Sequence, residues 1–316
     1  MAASTLADRP KPNVRGGRCQ HGAIHVSFPD SNFLIAGRTR FPHEKYFSRD
    51  GAFSLKVVHD GAERYDFNGS RYEVRAGRAL LVPQGATFRA EPEPNAAVCP
   101  LFFSSQSVAE VQACVAGGHE EDLLEGATQR RDYSISLLNF DPRLNRAVQR
   151  MERLLLKADS MCNRRTYRFD QAFSIAIETS LQNVLAQTIR SFSGLQTQLQ
   201  RMSAVKSSTR GELHRRLSFA EDRMRSDFAQ PLTLSELART AHMSTYHFAE
   251  RFSEFYGQSP HRFLMNLRLA HARQLIASTD TPLKEVAVAC GYQSLPSFVA
   301  LCTREWGRSP ATLRKF

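Results

Sequence analysis

Polar and apolar positions divide the chain into two regimes. From about residue 24 to residue 103 they alternate in short runs broken by turn residues, and beyond residue 142 apolar positions recur every three or four residues. The runs Phe53-Ser54-Leu55-Lys56-Val57-Val58, Gly61-Ala62-Glu63-Arg64-Tyr65, Phe67-Asn68-Gly69-Ser70-Arg71-Tyr72 and Ala79-Leu80-Leu81-Val82-Pro83 predict strands. Asn68-Gly69 predicts a tight hairpin, because both residues tolerate positive φ. The expected result is an antiparallel sheet closed into a barrel. Two helical stripes follow: 142–157, with Leu144, Val148, Met151 and Leu155, and 170–189, with Phe173, Ile177, Leu181, Val184, Leu185, Thr188 and Ile189. Each stripe suits packing against another helix. The Ser-, Gln- and Thr-rich stretch 191–211 reads as a linker.

The last hundred residues carry nearly the same text twice, about fifty residues apart. Copy one runs Thr233-Leu234-Ser235-Glu236-Leu237-Ala238, then Ser244, Phe248 and Gly257-Gln258-Ser259-Pro260. Copy two runs Pro282-Leu283-Lys284-Glu285-Val286-Ala287, then Ser294, Phe298 and Gly307-Arg308-Ser309-Pro310. Each copy predicts a short helix, a tight turn and a second helix. Thr233 with Glu236 makes a capping box, and Thr281 with Pro282 offers an N-cap and a first-turn proline. Ser244 and Ser294 restart the chain as helix, with Phe248, Phe252 and Phe255, or Phe298, Cys302 and Trp306, facing inward. Gly257 and Gly307 end those helices. A helical spacer over 260–278 would present Phe263, Leu264, Leu267, Leu275 and Ile276, and Leu213, Leu217, Ala220, Met224 and Phe228 predict a supporting helix in front.

A short helix, a turn and a second capped helix with an aromatic inner face is the sequence form of a helix-turn-helix, whose second helix enters the DNA major groove. The order Ala-x5-Ser-x3-Phe, Gly-Gln-Ser-Pro-His-Arg-Phe, Arg268-Leu269-x2-Ala272-x2-Leu275, Glu-Val-Ala-x2-Cys-Gly-Tyr, Ser-Phe and Trp-Gly-Arg-Ser-Pro resembles the DNA-binding domain of the AraC/XylS family of bacterial transcription regulators. The resemblance covers about the last third of the chain. It implies a seven-helix domain with two recognition helices, and a homodimer. Arg75-Ala76-Gly77-x5-Pro83-x-Gly85 is similar, more loosely, to the corner of the small cupin-like barrel that serves this family as a sensory domain. In related regulators a helix pair forms the dimer contact, which points to Phe173, Ile177, Leu181, Val184 and Leu185 here, although packing on the chain's own barrel suits the same stripe.

The phenylalanines are core whether the repeat reads DNA or is a helical adaptor that binds protein only. Only the opposite faces can touch DNA, and helical geometry assigns these to Thr245, Tyr246, Ala249, Glu250 and Ser253 in copy one and to Leu295, Pro296, Val299, Ala300 and Thr303 in copy two. Relatives often carry arginine where this chain has Glu250 and Ala300. A glutamate can accept from cytosine N4, whereas Leu295, Val299 and Ala300 can only pack on thymine methyls or the groove wall. Copy one is therefore expected to supply most hydrogen-bonded base readout, and copy two mainly shape and backbone contacts.

Composition changes this picture little. The chain has 316 residues and a formal charge of +11, and residues 214–316 hold 14 Lys and Arg against 9 Asp and Glu, so the basic excess is spread rather than focused. Arg201, Lys206, Arg210, Arg215 and Arg216 form a basic lead-in that reads as a solvated linker before it reads as a phosphate contact. No apolar run approaches the ~20 residues that span a bilayer, and the polar start lacks a hydrophobic leader, so a cytoplasmic protein with no membrane contact is expected. The six cysteines, at 19, 99, 114, 162, 290 and 302, lack metal-type spacing and read as reduced structural thiols.

Metal-binding cupins place a histidine three residues after the glycine of Pro-x-Gly, where this chain has Phe88. His21, His25, His43 and His59 follow no ligand pattern, so no metal and no other cofactor is expected. Phe53, Leu55, Val57, Tyr65, Phe67, Tyr72, Phe88 and Phe102 could line a pocket or simply fill the core; no effector site is assigned. A DNA-repair alkyl acceptor at Cys99 or Cys114 would need a basic partner to stabilise a thiolate, and the sequence shows none.

The reading is an α+β chain: a flexible arm over 1–22, a cupin-like antiparallel β-barrel with a helical dimerisation segment over 23–190, a linker over 191–211, and an all-α DNA-binding domain with two helix-turn-helix motifs over 212–316. It is expected to act on double-stranded promoter DNA, as an activator or a repressor and not as an enzyme. RNA polymerase and a small-molecule effector are the further partners the resemblance implies. A cupin-type enzyme or repair protein fused to a DNA-binding tail is the alternative.

Overall fold

The alternating runs form strands because each places one side-chain row inward and the other outward. The computed structural model describes residues 15–18, 24–27, 33–38, 46–48, 52–116, 133–161, 167–202 and 207–313. The chain divides into two units, Met1–Thr197 and Gln198–Phe316. In the first unit the strands are β1 (Arg15–Arg18), β2 (Ile24–Ser27), β3 (Phe33–Arg38), β4 (Tyr46–Ser48), β5 (Phe53–Asp60), β6 (Ala62–Phe67), β7 (Ser70–Arg75), β8 (Arg78–Val82), β9 (Phe88–Pro92), β10 (Ala97–Phe103), β11 (Ser136–Asn139) and β12 (Tyr167–Arg168). The expected hairpin joins β6 to β7: Asn68 and Gly69 have φ of 51° and 91°, and Phe67 pairs with Ser70.

Antiparallel pairing holds throughout, but the expected closed barrel is replaced by two sheets, ordered β11-β8-β5-β10-β3-β2-β1-β12 and β4-β9-β6-β7. The reason is local. Tight turns at Gly61 (φ 74°) and Gly77 (φ 86°) carry the chain from one sheet to the other, so the sheets stack through side chains instead of extending one ladder. Tyr65, Phe67 and Phe88 meet Val58, Leu80, Val82 and Ala90 between the sheets, with Tyr72 at their edge. Phe53, Leu55 and Val57 are out of phase with Val58 and belong to the opposite, also buried face of β5. Of the arm expected over 1–22, residues 15–18 form β1, paired with β2 and β12; 1–14 and 19–22 lie outside the described residues.

Helices α1 (Ser105–Ala116), α2 (Pro142–Met161) and α3 (Gln171–Arg201) complete the first unit, the last turn of α3 belonging to the second. Asp141 caps α2 by accepting from the amides of Arg143 and Leu144 at 2.7 and 2.9 Å, and Asp170 caps α3 by accepting from Phe173 at 2.7 Å. The linker expected over 191–211 is largely helix, since α3 runs to Arg201 and a further helix starts at Ser207. Phe192, Leu195, Leu199 and Met202 continue the apolar stripe and are buried. The polar residues between them bond their own helix, Ser193 to the Ile189 carbonyl at 2.8 Å and Thr197 to that of Ser193 at 3.0 Å. Composition suggested a linker, and periodicity decided the structure.

Phe173, Ile177, Leu181, Val184 and Leu185, expected at a dimer contact, are all buried within the single chain. Lys157 of α2 lies 5.3 Å over the Phe173 ring, and Ser191 donates to Asp141 at 2.7 Å, so α2 meets α3 at either end of this stripe. An apolar stripe reveals that a helix face is covered, and here the chain covers it. The large apolar residues of these helices left exposed are Leu156 and Ile175.

The second unit holds α4 (Ser207–Ser226), α5 (Leu234–Thr240), α6 (Thr245–Tyr256), α7 (Pro260–Ser278), α8 (Leu283–Ala289), α9 (Leu295–Trp306) and a 3-10 turn (Pro310–Leu313). The supporting helix buries Leu213, Leu217, Ala220 and Met224, and the spacer buries Phe263, Leu264, Leu269, Ala272 and Ile276.

Candidate nucleic-acid interface

Each tandem copy folds as helix, turn, helix, and the sequence explains the local geometry. In copy one the Thr233 hydroxyl accepts from the Glu236 amide at 3.2 Å while the Glu236 carboxylate accepts from the Thr233 amide at 2.8 Å. These bonds hold the exposed Glu236 carboxyl below the usual carboxylate range. Ser244 and Ser294 cap α6 and α9, each accepting from the amide three residues on at 3.4 Å. Gly257 and Gly307 close both helices in the left-handed conformation, with φ of 68° and 70°. Copy two departs at its entry: α8 starts at Leu283, with Pro282 in the N-cap place and no side-chain cap, where Thr281 was expected to cap. The Thr281 hydroxyl is instead engaged by that of Thr279 at 3.0 Å.

The inner faces are as expected. Phe248, Phe252 and Phe255 are buried in copy one, Phe298 and Cys302 in copy two, and Trp306 packs half-buried beside them. The outer faces differ from each other. On α6, Thr245, Tyr246 and Glu250 are exposed, Tyr246 at 80 %, while Ala249 and Ser253 are half-buried and the Ser253 hydroxyl donates back to the Ala249 carbonyl at 2.7 Å. On α9, Pro296, Ala300 and Thr303 are exposed, whereas Leu295 and Val299 lie half-buried against the copy-two core. The signal for that was present: 295, 298, 299, 302 and 306 fall on one helical stripe. Three residues missed by sequence reasoning, His247, Ser297 and Arg304, are exposed on these two helices. His247 and Ser297 follow once the cap residue is fixed, since the cap sets which positions make the open first turn, and Arg304 lies in the last turn of α9.

Charge on these faces is partly tied down. Glu250 lies 3.7 Å from His247 Nδ1 and 3.5 Å from the Arg251 guanidinium, and Arg251 itself pairs with Glu254 at 2.6 Å. Arg304 lies 3.2 Å from Glu305, whose main partner is Arg262 of α7, a two-pronged contact at 2.9 and 2.6 Å that lowers the Glu305 carboxyl. Neither outer face is a dense cationic patch. The solvent side of α6 carries Thr245, Tyr246, His247 and Glu250, and that of α9 carries Pro296, Ser297, Ala300, Thr303 and Arg304.

His59 contacts Glu152 of α2, His21 and His43 fall outside the described residues, and no group of three potential metal ligands occurs among the described residues. Between the sheets of the β-unit Lys56 is buried with Nζ 4.1 Å from the centre of the Phe102 ring and 4.9 Å from that of Phe88. Burial brings its ammonium down to about 8, against the opposing pull of Glu63. Glu63 accepts the Tyr65 hydroxyl, and burial pushes its carboxyl up.

A two-sheet domain joined in one chain to a tandem helix-turn-helix unit defines a two-part DNA-reading regulator. Family models agree in both halves: a helix-turn-helix domain matches residues 237–315 and an AraC-like ligand binding domain matches residues 38–168. The chain belongs to the AraC/XylS family of transcription regulators. It is 24 % identical over 292 residues to the RCS-specific HTH-type transcriptional activator RclR of Escherichia coli, covering 90 % of this chain and 92 % of that one. It is 28 % identical over 292 residues to the HTH-type transcriptional activator RhaS of an Enterobacter species, covering 91 % and 94 %. A more local match, 34 % identical over 85 residues, is to the probable transcriptional regulator LumQ of Photobacterium leiognathi; it covers 27 % of this chain and only 34 % of that relative's length.

Proposed function

We propose that the chain is a sequence-specific regulator of transcription that binds promoter duplex through α6 and α9, with the β-unit as its sensory part. The observation that carries this reading is the repetition itself. Two helix-turn-helix units with matching serine caps and glycine stops each bury one aromatic or thiol-bearing face and leave the other to solvent. Thr245, Tyr246 and Glu250, with His247, make the hydrogen-bonding reader. Pro296, Ala300 and Thr303, with Ser297 and Arg304, make a second face that contributes mainly shape and backbone contacts, because Leu295 and Val299 are half-buried in their own core.

The protein works as a cytoplasmic homodimer; no helix among the described residues is long and apolar enough to cross a membrane. Exposed Leu156 on α2 and Ile175 on α3 are the residues this reading places at the dimer contact. A small-molecule effector and RNA polymerase are its further partners, and its work is binding, not catalysis. Systematic substitution of every position in a bound operator tests the division of labour. Sharper, hydrogen-bonded base preference is expected in the box under α6 than in the box under α9, where sequence-dependent shape sets the preference; sharp preference confined to the α9 box would overturn it.

A further inference from the structure

Both turns of the tandem unit place a residue in the left-handed region at the same step, His242 with φ 52° and Gly291 with φ 78°. Only the second requires glycine for space. A Cβ on Gly291 would lie 2.5 Å from the Ala229 carbonyl oxygen and 3.0 Å from the Ala229 carbonyl carbon and Cα. The second turn therefore rests on the backbone that joins α4 to α5.

That connector is also held from the spacer helix. Arg268 of α7 donates from Nε to the Phe228 carbonyl at 2.7 Å and from Nη2 to the Gln230 carbonyl at 2.9 Å. Its guanidinium lies 5.6 Å from the centre of the Tyr292 ring, in the second turn, and the Phe228 ring lies 4.6 Å from the His271 ring of α7. The connector is shaped by its own bonds, with the Gln230 amide donating to the Asp227 carbonyl at 2.8 Å and Arg223 paired with Asp227 at 2.6 Å. One planar fork thus engages two fixed carbonyls and an aromatic ring, a task that the flexible point charge of lysine performs poorly.

We propose that this three-way lock, made of Arg268, the carbonyls of Phe228 and Gln230, and the Ala229–Gly291 contact, sets the distance and rotation between the two recognition helices and hence the half-site spacing the protein accepts. Arg268 is a positioning residue in this account, and the inference rests on the DNA reading proposed above. When two readers are rigidly joined, the second adds affinity only where the geometry lets both engage. One inserted base pair displaces a half-site by about 3.4 Å and rotates it by roughly 35°.

The test uses the full chain as wild type, Arg268→Met, Arg268→Lys and Gly291→Ala, titrated at one salt concentration. The duplexes are a two-box operator, the same operator with one base pair inserted or removed between the boxes, and one truncated so that it ends before the second box. For the wild type, a change of spacing is expected to weaken binding about tenfold. The variants are expected to bind the single-box duplex within about twofold of wild type, lose most of the gain from the second box, and distinguish the spacings less than about threefold. Melting curves establish folding, and Arg268→Lys carries the test should the methionine variant not fold. Variants that keep the wild-type spacing preference, or that weaken equally on one-box and two-box DNA, would overturn the lock while leaving the DNA reading intact. A wild type that binds the two-box duplex no more tightly than the truncated one would overturn the engagement of α9 and the lock with it, and a wild type that binds no duplex above background would overturn the DNA reading itself.

Discussion

Tyr246 and Phe248 stand two residues apart on α6 and should fail in opposite ways when cut to alanine. Tyr246 is 80 % exposed, so its removal costs the fold little, within about 0.5 kcal/mol. On the outer face of a DNA-reading helix the same truncation should weaken operator binding by about 1–3 kcal/mol, roughly 5- to 150-fold. Phe248 is fully buried, with its ring 5.4 Å from that of Phe252. Phe248→Ala should therefore destabilise the domain by about 3–5 kcal/mol. At about 4–8 °C per kcal/mol, the melting temperature of this helical domain should fall by more than about 12 °C. Fluorescence anisotropy against operator DNA and a thermal melt of the same samples separate the two effects. A Tyr246→Ala protein that binds within twofold of wild type, or that melts several degrees lower, would refute the assignment of faces on α6.

Three further outcomes follow from the structure. Charge at the buried Leu181 should unfold the first unit, whereas Leu156→Asp, at an exposed position, should give a folded monomer in sedimentation; a folded Leu181→Asp protein would contradict the packing described. Lys56 has a folded value of about 8, below its unfolded value of about 10.4, so its contribution to stability grows as pH rises between the two. Cys99 and Tyr65 are raised by burial and act in the opposite sense, so the quantity to measure is the difference between wild type and Lys56→Met. The wild type should gain on the variant from pH 8 to pH 10, and a constant difference would refute the burial of the ammonium. Burial pushes Cys99 and Cys302 up to about 12 and Cys290 up to about 11, while Cys114 is exposed. Among these four, mass spectrometry after brief alkylation at pH 8 should find Cys114 modified first.

Much of this architecture was written in local pattern. The repeat, its serine caps, its glycine stops and the spacer Pro260–Ser278 follow from short-range rules that two copies state twice, so errors in one copy are checked by the other. Strands β5 to β8 of the β-unit were legible from period-two alternation and from Asn68-Gly69, whereas β1, β11 and β12 lie outside the alternating stretch. What was not legible depends on long-range partners. Closure of the barrel failed because turns at Gly61 and Gly77 pass the chain between stacked sheets, and alternation is the same in either arrangement. The stripe of Phe173 to Leu185 announced a covered face without naming the cover. At 191–202 the polar composition outweighed Phe192, Leu195, Leu199 and Met202, which already had helical spacing. On α9, Leu295 and Val299 belonged to the inner stripe all along. The lock at Arg268 and Gly291 joins positions some forty and sixty residues from the connector, a separation that helix and turn rules do not reach.

The most direct test of the central claim is selection of bound sequences from randomised duplex DNA by the full-length protein at two salt concentrations. Recovery of paired boxes about one or two helical turns apart is expected, with the motif persisting at the higher salt. Recovery of no motif, with weak binding that vanishes as salt rises, would show nonspecific attraction to a basic protein and contradict the account.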